Sequence, residues 1–230
     1  MLIFDYFIKG WLLTLLLALS VGNAVAASAV SCHCFQDRAF SAAQPQAFDP
    51  YLLATTQNRL LAHSFALPRK EIVSAKMAGA SGDQLWVRHW IAAATGRSLD
   101  ELDTLYVRHG SWQKTVLAIE GDPELLGALF WRELAQEDEQ RLAVAIVTQI
   151  LQRDFALSTE ELNTLFANNL PLKEQILAVI LSRLKEQPIV TVLNEQVQVE
   201  SWGALLERNK VSVETIETFL ERQLRRSKPQ

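Results

Sequence analysis

Cysteine, glycine and proline are all scarce in this chain: 2, 9 and 7 among 230 residues. Two cysteines cannot staple a disulfide scaffold together. So few glycines and prolines argue against a many-turned sheet protein and suit long helices. A basic surplus is missing too; the formal net charge is −4, which leaves no electrostatic footprint for nucleic acid. Familiar catalytic signatures are absent, with no H-E-x-x-H, phosphate loop, calcium loop or C-x-x-C-H haem attachment. Beyond the amino-terminal segment no long apolar run occurs, so the body offers no membrane span.

Apolar residues are nevertheless 49% of the chain, enough to build a core in one large or two small domains. Residues 1–29 read as an export signal. Lys9 precedes the apolar run from Trp11 to Val21, and Ala24-Val25-Ala26 or Ala27-Ser28-Ala29 offers the small-residue site that a signal peptidase accepts. The uncharged stretch between Lys9 and Asp37 supports a competing reading, an uncleaved membrane anchor. Gly22, Asn23 and the alanines dilute its hydrophobicity, which favours cleavage and a periplasmic or secreted protein. No membrane contact is expected beyond this segment.

Residues 30–48 form an arm that carries both cysteines. From there caps and breakers cut the chain into helices. Asp49-Pro50 opens one as N-cap and first helical residue. Pro68 starts another, Asp83 a third that Gly96 ends, and Ser98-Leu-Asp-Glu101 is a capping box. A short helix follows Ser111, and Asp122-Pro123 starts one toward Leu134. In residues 137–230 the grammar returns: a strongly apolar helix to Phe155, a second box at Ser158-Thr-Glu-Glu161, then helices from Pro171, Ser201 and Val213. Arg222, Arg225 and Arg226 end the last one, where cations suit the helix dipole.

An internal repeat ties the two halves together. Leu61-Ala-His-Ser-Phe-Ala-Leu67 lies over Leu151-Gln-Arg-Asp-Phe-Ala-Leu157, an offset of 90 (151 less 61), and Ser111-Trp112 falls on Ser201-Trp202 at the same offset. Only 9 of the 66 pairs from Tyr51 to Val116 are identical, so the clustering and the ungapped apolar phase carry the argument. The expected fold is all-α: two related multi-helix units, 49–136 and 137–230, after the signal and arm. One segment disagrees locally. Ile189 to Val199 is β-branched and partly alternating, the pattern of a strand, yet its repeat partner is helical, so the repeat predicts a helix.

Chemistry has one reactive-looking candidate, Cys32-His33-Cys34. Thiolates and imidazole suit copper or zinc, but in an extended arm His33 faces away from the two cysteines, so a turn is needed to bring all three onto one ion. A strained disulfide, a lipid on Cys32 and an intermolecular disulfide are the alternatives. Trp86, His89 and Trp90 share a helix and suggest an apolar ligand pocket; their repeat partners Ile176, Val179 and Ile180 are plain core residues, which favours packing. Glu71 and Glu161 match across the repeat, but first-turn carboxylates serve capping and the dipole. Ser111 lacks a nucleophile context. The helical hairpin from Thr95 to Trp112 has helix-turn-helix form, with only Lys114 basic in its second helix, so DNA binding is not expected.

Cys32-His-Cys-Phe35, with Phe48-Asp-Pro-Tyr-Leu-Leu-Ala-Thr-Thr-Gln57 and the Gly110-Ser-Trp112 turn, resembles a group of exported bacterial helical proteins of no known activity. The resemblance covers most of the mature chain and implies export and a helical body, without any functional residue. The leading expectation is a noncatalytic envelope module that binds a protein partner or forms a homo-oligomer. A metal- or thiol-redox role through Cys32 and Cys34 comes second, and an enzyme on envelope polymers third. Intact-mass analysis of the exported protein is expected to find a chain starting at Ala27 or Val30; a retained Met1 refutes cleavage.

Overall fold

Local caps decide where each helix begins and ends. A computed structural model describes residues 35–226; residues 1–29, read above as an export signal, and Cys32, His33 and Cys34 lie outside the described residues. After a 3-10 turn at Pro45–Phe48, the first half contains α1 (Asp49–Ser64), α2 (Arg69–Met77), α3 (Gly82–Thr95), α4 (Leu99–His109), α5 (Trp112–Ala118), α6 (Pro123–Leu126) and α7 (Ala128–Leu134). The second contains α8 (Glu139–Phe155), α9 (Thr159–Ala167), α10 (Leu172–Leu184), α11 (Ile189–Val199), α12 (Trp202–Arg208) and α13 (Val213–Arg226). No strand occurs among the described residues. The fold is all-α.

Residues 189–199 are helical despite their β-branched content. Ile189, Val192 and Leu193 are buried at helical spacing, and that burial outweighs a local strand preference. Serine caps hold α3, α4, α5, α9 and α12, each accepting a backbone N–H from its own first turn. Only the second expected capping box is complete. Glu161 returns a bond to the Ser158 amide at 2.9 Å, whereas Glu101 turns its carboxylate to Arg97.

The 90-residue spacing recurs in the backbone. Helices α2 and α9, α4 and α11, and α5 and α12 begin and end 90 residues apart. Left-handed residues recur likewise: Ala66 and Ala156, Gly79 and Asn169, Gly96 and Glu186, Gly110 and Glu200, Glu120 and Lys210. Such residues end helices by turning the chain through positive φ. At Gly96 the turn is easy (φ 69°); at Glu186 (φ 52°) a side chain is held there, at a cost of about 1 kcal/mol.

Packing exchanges elements between the halves. Helix α1 lies against α10 and α13, while α8 lies against α3 and α7, so each half's first helix packs on the third helix of the other. A single apolar core runs from Phe48 to Leu224. Thr56 through Ala62 are all buried, so α1 is enclosed on every side along that stretch.

Asp49 shows the consequence. It was expected to cap its own helix, but its backbone is already helical (φ −56°, ψ −44°) because the preceding 3-10 turn runs into α1. Its carboxylate instead caps α12, accepting from the Trp202 amide at 2.9 Å, the Gly203 amide at 2.7 Å and the Ser201 hydroxyl at 3.0 Å. A β-carbon at Gly203 would stand 2.8 Å from Phe48 Cδ1, so glycine permits this approach. The reciprocal contact exists: Glu139 Oε1 accepts from Trp112 Nε1 at 2.9 Å. Replacing Asp49 by Ala strands the α12 amides, and urea denaturation should show a loss of about 2–3 kcal/mol.

Candidate functional site

One departure from the 90-residue spacing shapes the surface. Where α13 runs unbroken, its counterpart is split at Gly127 into α6 and α7. The expected single helix from Asp122 to Leu134 fails because Gly127 adopts φ 84°, ψ 145°, far from helical values. A β-carbon there would stand 1.7 Å from Gln149 Oε1, the movable end of that side chain, so it is chiefly the positive φ that calls for glycine where this turn meets α8. Trp90 Nε1 holds the broken end by donating to the Leu126 carbonyl at 2.9 Å. Helix α7 can then lie along α8 with Phe130 and Leu134 buried.

Helix α9 supplies the facing wall. Leu162 and Leu165 are its buried residues, and it packs on α11. Arg183 of α10 fixes its start with bonds to both Glu161 oxygens, at 2.7 and 2.8 Å. Those bonds, then the Ser158 contacts, pull the Glu161 carboxyl down to about 2 against the opposing effect of burial. It stays ionised near neutrality and is unsuited to general-acid work. Glu71, 90 residues earlier, is exposed in the first turn of α2.

Between α7, α8 and α9 runs an open groove of about 620 Å³. Leu129, Val144, Ala145, Leu162 and Phe166 supply its apolar lining, with Thr148 beneath. Phe166 keeps 44% of its surface exposed, unusual for a phenylalanine. Charge gathers at the end where α7 turns into α8. Glu133 accepts from Arg132 Nε at 2.9 Å and from Arg141 Nε at 3.0 Å. The Arg132 bond, with the charge and bond of Arg141, holds the Glu133 carboxyl below the usual carboxylate range. The opposite end is neutral, formed by Gln152, Thr159 and Asn163.

The first half differs at the same places. Ninety residues before Phe166, Thr148 and Arg141 stand Lys76, Asn58 and Tyr51. Lys76, 6% exposed, donates to Asn58 Oδ1 at 2.6 Å and ties α2 down onto α1. Burial, with Lys173 nearby, lowers the Lys76 ammonium to about 8. Burial also raises the Asp83 carboxyl, which faces the same region.

The aromatic candidates separate. Trp86 is fully buried, and Phe65 packs against both Trp86 and His89 at centroid distances of 5.8 and 5.7 Å. Burial, then Arg88, pushes the His89 imidazole down to about 4, so it stays neutral. Trp90 alone of the three lines a cavity, of about 270 Å³, with Phe65, Leu125 and Arg153. The Ser111 hydroxyl caps α5 and donates to Glu137 at 2.9 Å, which accounts for it structurally. Among the described residues no cluster of three or more His, Cys, Asp or Glu could hold a metal. Cys32, His33 and Cys34, the copper or zinc candidates, lie outside the described residues.

Sequence reasoning missed the groove residues. Arg132, Glu133 and Arg141 form no motif, and the one available signal was the change of character at Phe166, Thr148 and Arg141 relative to positions 90 residues earlier. Comparison with protein-family models, curated proteins and solved structures finds no match to this chain.

Lys76 makes a pH prediction. Its folded pKa of about 8 lies below the ordinary 10.5, so the unfolded chain binds more protons between those values. Stability should therefore rise with pH across that window relative to Lys76→Met, measured by denaturant titrations at pH 7.5, 9 and 10. Parallel curves for the two proteins would show that Lys76 is not so perturbed.

Proposed function

We propose that the protein is an exported, noncatalytic binding module that takes an amphipathic helical segment of a partner protein into the α7–α8–α9 groove. The observation that carries this reading is an open apolar trough walled by three helices. From Arg141 to Gln152 the α8 wall rises 11 residues, about 16 Å at 1.5 Å per residue, or roughly three helical turns. A partner helix of that length presents apolar side chains at i, i+3, i+4 and i+7, matched to such a trough. Export rests on residues 1–29, and the envelope is where the partner is to be sought. The same reading takes the body as a tandem duplication in which one unit kept an open groove, supported by helix ends and left-handed residues that recur 90 apart.

The test is differential capture from an envelope fraction on tagged full-length protein. A partner retained by the wild type and by the control Val107→Ser, an exposed residue of α4, should be lost from Val144→Glu/Phe166→Ser. Circular dichroism checks that helix content is unchanged. An identical captured set from all three proteins refutes groove docking.

A further inference from the structure

The groove is not electrostatically uniform, and its charged end suggests what it selects. Each Glu133 oxygen holds one guanidinium by its Nε, so Arg132 and Arg141 are brought together at one rim. Both arginine side chains are more than half exposed, at 70 and 57%, and among the described residues neither makes a hydrogen bond through its terminal amino groups. Those groups are the fork that binds carboxylates in a planar, paired fashion. Of the charged residues that line the groove two are arginines and one is a glutamate, an excess of one positive charge in the lining.

The acids of the adjoining turn are directed elsewhere. Glu137 accepts from Ser111, Asp138 caps the α8 amides at Gln140 and Arg141, and Glu139 accepts from Trp112. Each of these carboxylates is thus bonded to a group other than the two guanidiniums. The positions 90 residues from Arg132, Glu133 and Arg141 hold Arg222, Gln223 and Tyr51, so the arginine–glutamate–arginine arrangement belongs to this half alone.

The geometry points to an anion clamp at Arg132, Glu133 and Arg141 that selects a partner helix carrying an acidic residue at the end seated over the α7–α8 turn. This rests on the docking reading above and adds the partner's charge and direction. Glu133 positions the two guanidiniums before the partner arrives, which lowers the ordering cost of the contact. At the end beside Gln152 and Thr159 the groove lining holds no cation, so the reversed orientation loses the ion pair.

The probes are two synthetic 14-residue amphipathic helices with the same leucine and alanine stripe. One carries a Glu pair in its first turn, the other a Gln pair. Fluorescence anisotropy with full-length protein at low salt should show the Glu peptide binding about tenfold tighter, the gap shrinking at high salt as exposed ion pairs are screened. Arg132→Gln/Arg141→Gln should erase the gap, while Arg108→Gln, an exposed arginine on α4, should keep it. Equal affinity of both peptides for the wild type, or a gap that survives loss of both arginines, overturns the clamp and leaves docking intact. If neither peptide binds, the docking reading itself falls. A medium-chain carboxylate such as laurate, bound with the same arginine dependence in that case, reassigns the groove to a lipid anion and overturns the proposal.

Discussion

The exchange of first helices between the two halves is the constraint on which the rest of the structure depends. Helix α1 is enclosed by α10 and α13 from the far end of the chain, and α8 fills the corresponding space against α3 and α7. Neither half of the core is complete without the other. The Asp49 carboxylate fastens one exchange by capping a helix more than 150 residues away, and Glu139 fastens the other through Trp112. Because the first helix must reach across, α1 is surrounded, and even its polar residues are buried.

That enclosure explains the charged groups inside. Arg59 pairs with Glu217 at 2.8 Å and donates to the Val213 carbonyl, joining α1 to α13. Burial lowers the Arg59 pKa and Glu217 opposes the shift. A buried pair of this kind adds little net stability over an apolar substitute, yet loss of one partner strands the other, so it serves mainly to select the correct helix pairing. The Lys76–Asn58 bond has the same character between α2 and α1. On the matching surface of the second half, Phe166 and Thr148 make no such tie, and the groove lies open there.

A recognition surface needs walls that hold their spacing. The groove has them. Glu161 and Arg183 secure the start of α9, the Trp90–Leu126 bond and the close fit of Gly127 on Gln149 secure the turn before α7, and α8 is buried along its inner face. The side chains exposed at the rim are two arginines held by Glu133 and a half-exposed phenylalanine, residue types that recur at protein interfaces. Binding therefore asks little rearrangement of the backbone.

The amino-acid sequence by itself determined the all-α class, nearly every helix start and the 90-residue rhythm, including a helix at Ile189–Val199 where propensity favoured a strand. Caps, proline positions and apolar spacing act within one or two turns, so they can be read without knowing the fold. Tertiary structure decided which helices meet. Asp49 looked like the cap of its own helix and became the cap of α12; Asp122 to Leu134 looked continuous and broke at Gly127. The groove and its arginine pair were invisible for the same reason. Arg132, Glu133, Val144 and Phe166 acquire a common purpose only when three helices are set side by side, and that placement follows from burial shared among distant segments rather than from anything written in a local stretch.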